Sequence, residues 1–385
     1  MDIIYFDNAA SSWPKPRLVS QKVAEAIQEY GANPGRGGHQ LSMRASKVIY
    51  KTRVKLAQLF GIQNPNDIFF TMNATMSLNM AIKGLLKNGD HVITTTLEHN
   101  SVRRPLEYMK KVHGVEITYI KPEKNGFIIE EFKKAIKQNT RLIAVSHASN
   151  LTGMIAPIKE IGLMAREYNI PFLVDGSQSV GILPIDVKEM NISLLGFPGH
   201  KGLYGPQGTG ALYVHPDLQL EPLLHGGTGS HSELIEQPET RPDRFESGTL
   251  NTPGIAGLLA GVEFVLNLGV EEIRNKEWEL TTYTLSKFED LPGVEVYGPN
   301  REKERVAVIS FNLIGMDASE VAYILDQEYG IAVRSGFHCT PLGHETSGTA
   351  ETGAVRISYG YFNTKEQVDQ LIIAIRDIQE AMLEG

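Results

Sequence analysis

The sequence predicts an α/β fold: a largely parallel sheet with helices on both faces, followed by a smaller α+β domain. Three observations carry this expectation. Runs of strand periodicity alternate with runs of helical periodicity from residue 67 to about residue 214, the pattern of strands joined by helical crossovers. Short continuous apolar runs such as Leu142-Ile-Ala-Val145 suit strands buried on both faces. Beyond residue 290 the strand-like runs come with fewer helices among them.

Residues 1–20 are broken by Pro14 and Pro16 and read as an arm. Apolar spacing through Val23, Ala24, Ala26 and Ile27 predicts a helix that stops near Gly31. Residues 31–39 carry four glycines and a proline, so they form a loop. A second helix follows to about Phe60. The alternation then gives a strand at 67–70, a helix at 75–86, a strand at 90–95, a helix at 102–112, a strand at 116–120 and a helix at 130–136. It continues with a strand at 142–146, a helix at 158–167, and strands at 171–174, 192–196 and 210–214. Residues 225–254, rich in Gly, Ser, Thr, Glu and Pro, read as a loop. Helices are expected at 254–268 and 270–288. Strands at 294–297, 306–311, 331–334 and 354–358, with helices at 318–327 and 365–383, complete the chain. The resulting division is an arm at 1–20, a large domain at 21–255 and a small domain at 256–385.

Composition excludes several classes. With 42% hydrophobic and 21% charged residues, the chain is an ordinary globular protein. One cysteine in 385 residues permits no intramolecular disulfide and no cysteine-only zinc site. Lys and Arg number 37 against 45 Asp and Glu, a net charge of −8, so no basic excess exists for nucleic acid. No apolar run approaches the ~20 residues of a membrane span. The opening Met1-Asp-Ile-Ile-Tyr5 lacks the basic and apolar regions of a signal peptide. The expectation is a cytoplasmic protein with no nucleic-acid or membrane partner.

The chemistry-bearing residues gather after strand ends. Ser146-His-Ala-Ser-Asn150, Asp175-Gly-Ser-Gln178 and Gly199-His-Lys201 each follow a predicted strand, and ligands of open α/β sheets bind beyond those ends. Asp175 alone would read as a helix cap and Lys201 alone as a surface charge; their joint placement points to a site. A lysine held in a partly apolar crevice has a lowered pKa and can form a Schiff base. A carboxylate in the same crevice suits the pyridinium nitrogen of pyridoxal 5′-phosphate (PLP). Thr71-Met-Asn-Ala-Thr75 precedes a helix, whose first amides with the Thr75 hydroxyl would bind an anion. His99 follows the next strand end and is placed to stack on a ring. Glycines around Lys201 are expected to let the backbone approach a ligand. The single cysteine lies in Arg334-Ser-Gly-Phe-His-Cys339, where Arg334 and His338 would favour its thiolate. Arg356, inside an apolar strand pattern, is either a buried ion pair or a fork for a carboxylate. No metal site is expected.

On these motifs the chain resembles the class V aminotransferases of the fold-type I PLP enzymes, and within them the cysteine desulfurases, group II (SufS-like) branch. The resemblance runs from Tyr5-Phe-Asp-Asn-Ala-Ala10 to Tyr361-Phe-Asn-Thr364. It implies a mainly parallel seven-stranded sheet, an N-terminal arm on the small domain, PLP as cofactor, a homodimer, and transfer of sulfur from L-cysteine to an acceptor protein or thiol, with L-selenocysteine, and release of its selenium, as the alternative substrate. Lys201 would be the Schiff-base lysine, Asp175 the ring-nitrogen partner and Gln178 the partner of the ring 3′-oxygen. His99 would stack on the ring and Asn150 would lie near its 3′-oxygen side and the substrate. Ala74, Thr75 and His200 would hold the phosphate, with Thr249 reaching it from the partner subunit. Arg356 would grip the substrate carboxylate beside Ala10, and Cys339 would take the sulfur. The loop from Arg36 to His39 would come from the other subunit. Pro198 stands where the family commonly has a serine, and Gly336-Phe-His-Cys339 where it has Gly-His-His-Cys. Another class V activity, or a non-catalytic protein on this fold, stays open on the sequence.

Overall fold

The computed structural model describes residues 3–35 and 37–384; Met1, Asp2, Arg36 and Gly385 lie outside the described residues. Strands are numbered in chain order. A two-residue strand, β1 (Ile4–Tyr5), opens the chain. The large sheet holds β2 (Ile68–Thr71), β3 (His91–Thr95), β4 (Glu116–Ile120), β5 (Thr140–Ser146), β6 (Phe172–Asp175), β7 (Leu194–Pro198) and β8 (Gly210–Val214). Their order is β2-β8-β7-β6-β5-β3-β4. Only β8 runs against its neighbours, pairing antiparallel with both β2 and β7. The expected seven-stranded, mainly parallel sheet is present.

Alternate residues of the central strands enter opposite cores. In β5, Ile143 and Val145 pack in one apolar cluster and Leu142 and Ala144 in the other; in β6, Phe172 and Val174 oppose Leu173. This two-sided burial is why those stretches read as unbroken apolar runs.

The small domain is a four-stranded antiparallel sheet, β12-β13-β10-β9, formed by β9 (Val294–Tyr297), β10 (Val308–Leu313), β12 (Arg334–Gly336) and β13 (Ala354–Ser358). Helices Val270–Glu289, Ala318–Tyr329 and Lys365–Glu384 pack around it. β11 (Ile331–Ala332) pairs instead with β1, Ile4 opposite Ile331, which sews the arm to this domain. The single strand expected at 331–334 is therefore two, serving different sheets on either side of Val333.

Two boundaries differ from expectation. The first helix begins at Arg17, inside the stretch read as arm, because Pro14 and Pro16 end the extended segment there. The helix Thr252–Leu268 spans the expected domain boundary at 255/256. Its Ile255, Leu258 and Val262 lie in the large domain's core, and it packs against helices Arg17–Tyr30 and Gln40–Phe60. The chain changes domain at Gly269, whose φ of 88° turns it into Val270–Glu289. The burial of Thr252–Leu268 explains its apolar character. Among the described residues, no single helix is long and apolar enough to cross a membrane.

Candidate active site

The ends of five parallel strands deliver the site. The turn after β2 brings Asn73, Ala74 and Thr75; after β3 comes His99; after β5, Asn150. Asp175 ends β6 with Gln178 just beyond, and Pro198, His200 and Lys201 follow from β7. With Ala9 and Ala10 of the arm, and Arg334 and Arg356 of the small domain, they line one cavity of about 230 Å³. Strand register fixes the floor: Ser146 lies opposite Asp175, and Asp175 opposite Gly196.

At one side the helix Ala74–Leu85 begins. Asn73 caps it, its Oδ1 accepting from the Met76 amide at 3.0 Å. The amides of Ala74 and Thr75 are left over at this helix start, which favours an anion. The Thr75 hydroxyl is 2.7 Å from that of Ser101. His200 lines the same cavity; burial and the nearby Lys201 push its pKa down to about 4, and its buried Nδ1 has no partner.

Asp175 is 4% exposed, and its Oδ1 accepts from the Ser177 amide at 2.9 Å and from the Ser177 hydroxyl. His99 caps the helix Asn100–His113: its Nδ1 accepts from the Ser101 amide at 3.0 Å. The ring proton therefore sits on Nε2. Burial, with Lys201, Arg334 and Arg356 against an opposing Asp175, holds His99 down at about 4, so the ring is neutral at pH 7. Lys201 is pushed down to about 8, first by burial and then by Arg356, with Asp175 pulling the other way. A large share of this amine is uncharged near pH 8.

The small domain supplies the other wall. Arg334 Nη2 donates to Cys339 Sγ at 3.6 Å. The loop that carries the thiol is pinned on both sides. Asn150 Nδ2 donates to the His338 carbonyl at 2.6 Å, Thr340 Oγ1 donates to Asn150 Oδ1 at 2.6 Å, and the Asn100 amide donates to the Cys339 carbonyl at 2.8 Å. These bonds hold His338 at φ 47° and Cys339 at φ 60°, a left-handed conformation rare outside glycine. Arg356 is 1% exposed. Its Nη2 pairs with Asp7 Oδ1 at 2.6 Å and its Nη1 donates to the Asn150 carbonyl at 3.0 Å, while Nε has no partner.

Several expected residues stand differently. His338 brings no positive charge to Cys339: burial and Arg356 push its pKa down to about 3, and its Nε2 faces the Ala354 carbonyl at 2.9 Å. The Asn150 side chain is spent on the cysteine loop. Gln178 Nε2 donates to the Ala9 carbonyl at 3.0 Å. The glycines beside Lys201 serve packing against protein: a Cβ at Gly202 would collide with the Val180 carbonyl, and one at Gly199 with Thr209 Oγ1. Thr249 and His39 are exposed and away from this cavity. Thr249 lines a surface groove with Arg53 and Glu246, and His39 caps the helix Gln40–Phe60. Arg36 lies outside the described residues.

Glu98, buried behind His99, and Asp7, on the arm, were missed by the sequence reading. Acid beside a predicted site residue was the available signal for Glu98. Asp7 had none beyond its place in the Tyr5–Ala10 motif.

The donor set suits a phosphorylated, cationic aromatic ring: free amides and a hydroxyl at a helix start, a buried carboxylate, a neutral imidazole and a low-pKa lysine. A model of the aminotransferase class-V family matches residues 4–371. A probable cysteine desulfurase of Methanothermobacter thermautotrophicus is 35% identical over 98% of this chain and 95% of its own. The apo structure of a cysteine desulfurase from Thermococcus onnurineus NA1 superposes with a TM-score of 0.93 at 33% identity, covering 99% of this chain and 95% of the other. A structure of the cysteine desulfurase CsdA (S-sulfonic acid) from Escherichia coli gives a TM-score of 0.89 at 26% identity over 98% and 95%.

Proposed function

This chain belongs to the class V aminotransferase family, which is PLP-dependent, and on that premise we propose that it is a cysteine desulfurase. It takes L-cysteine to L-alanine and carries the sulfur as a persulfide on Cys339 to an acceptor protein or thiol. The observation that carries this is the meeting of Lys201 and Asp175, from the large domain, with Arg356 and Arg334, from the small domain, around one cavity, with Cys339 Sγ held just outside that lining, 3.6 Å from Arg334 Nη2.

In this reading Ala74, Thr75 and His200 hold the cofactor's phosphate, Asp175 its ring nitrogen, Gln178 its 3′-oxygen side, and His99 covers a face of the ring. When bound through Lys201, PLP supplies an electron sink for charge developing at the substrate Cα. The free Lys201 amine is the base for the Cα proton, a task suited to a pKa near working pH. Arg356 orients the substrate carboxylate beside Ala10 and Asn150. The Cys339 thiolate attacks the substrate sulfur: an S–S bond forms, the substrate C–S bond breaks, and Cβ takes up a proton to become the methyl group of alanine. Arg334 stabilises the attacking sulfur.

The active unit is a homodimer, in which Thr249 and the loop ending at His39 complete the partner's site. Exposed Leu41, Met43 and Tyr50 on one helix, and exposed Met72 after β2, offer apolar surface of the kind such an interface needs. A cytoplasmic location belongs to the same reading, since a free half-buried thiol suits a reducing compartment. Incubating the PLP-loaded protein with L-cysteine and dithiothreitol tests it. Sulfide and alanine in equal amounts are expected; a keto acid in place of alanine would refute it.

A further inference from the structure

Glu98 has no part in the mechanism above, yet it is 1% exposed and sits one strand behind the cofactor end of the site. Its Oε1 accepts from Thr95 Oγ1 at 2.7 Å and its Oε2 from Ser146 Oγ at 2.7 Å. The Ser146 amide faces both oxygens, at 3.2 and 3.0 Å. Ser146 ends β5 in register with Asp175. On its other side its hydroxyl lies 3.5 Å from Asp175 Oδ2, the oxygen that Ser177 leaves free.

A serine hydroxyl has one proton to give. If Glu98 is ionised, that proton points to Glu98, and Asp175 loses a donor and faces a second negative charge. If Glu98 is protonated, it donates to Ser146 Oγ, and the Ser146 hydroxyl turns to Asp175. We propose that Glu98 is a positioning residue acting through Ser146: its proton decides whether Asp175 Oδ2 is supported from behind, and so how Asp175 holds the ring nitrogen. This rests on the assignment of Asp175 to that nitrogen. Both states of Glu98 are accessible. Burial, aided by Asp175, pushes its pKa up to about 7, against the bonds from Ser146 and Thr95. The charge that acts on Glu98 is Asp175; Asp175 in turn faces His99, on Glu98's own loop, and Lys201, and these two also feel Arg334 and Arg356 across the cavity.

The test is a pH titration of the bound-cofactor absorption band, from about pH 5.5 to 9, in PLP-loaded wild type, Glu98→Gln and Ser146→Ala. PLP retained after dialysis is measured alongside. The wild type is expected to show a step with a midpoint near pH 7. Glu98→Gln, whose amide donates to Ser146 at every pH, is expected to keep PLP and lose the step. Ser146→Ala is expected to lose it as well, and it decides the matter alone if Glu98→Gln does not fold. Superimposable titrations of wild type and variant overturn the relay. A wild type that takes up no PLP overturns the cofactor reading instead.

Discussion

Arg356 and Asp7 lie 349 positions apart and meet at 2.6 Å. The guanidinium reaches the cavity already half engaged, with Asp7 and the Asn150 carbonyl on its two Nη atoms and Nε left without a partner. In the proposed function, this preset guanidinium is the group that receives the substrate carboxylate.

Arg356→Lys is accordingly expected to keep the charge and lose the fork. KM for L-cysteine should rise about tenfold, which is about 1.4 kcal/mol of lost binding, with kcat much less changed. Steady-state kinetics check this; an unchanged KM would remove Arg356 from substrate recognition.

Asn150 clamps the loop that carries Cys339. Asn150→Ala should remove two hydrogen bonds and cost about 1–3 kcal/mol, releasing the left-handed turn at His338 and Cys339. Single-turnover persulfide formation should slow at least ~10-fold while PLP affinity changes little. Asn150→Asp should be worse, since it sets a carboxylate against the His338 carbonyl. Equal rates in all three proteins would show that the loop holds itself.

Cys339→Ser should leave PLP bound and alanine release reduced at least ~100-fold. Mass spectrometry after a cysteine pulse should find the added sulfur atom on wild type and none on the variant. Persulfide on the variant would place the acceptor elsewhere.

Glu277, in the helix Val270–Glu289, is 3% exposed. Burial pushes its pKa up to about 8, against a smaller pull from Arg274. The folded protein keeps this proton where the unfolded chain releases it, so the folded state binds more protons between about pH 4.5 and 8. Stability is full below that window and falls as pH rises through it. Glu277→Gln should match wild type near pH 4 and exceed it at pH 8 by about 4 kcal/mol. Thermal melts across pH check this, and parallel curves would contradict it.

The sheet and its site were largely legible because both follow from local pattern. Two-sided burial makes continuous apolar strands, and a parallel sheet places every strand's end on one edge, so Asn150, Asp175 and Lys201 could be gathered without coordinates. What escaped depends on contacts distant in sequence. Asp7 is an ordinary acid until β1 pairs with β11 and carries it to Arg356. Glu98 shows no periodicity of its own. The helix Thr252–Leu268 reads the same whichever domain it covers, since its partners lie more than 190 residues upstream in Gln40–Phe60. The break at Val333 is equally invisible, because strands that join different sheets look like one strand in the sequence.

The arm also sets an order on birth of the enzyme. Asp7 is made before Arg356, which does not exist until 349 further residues have been added, roughly 20–70 s at ordinary synthesis rates. The large domain can collapse meanwhile. The arm must wait unpaired, with Phe6, later wholly buried, open to any passing partner. Chaperone dependence of the newborn chain should therefore concentrate in this arm, the part whose partners are made last.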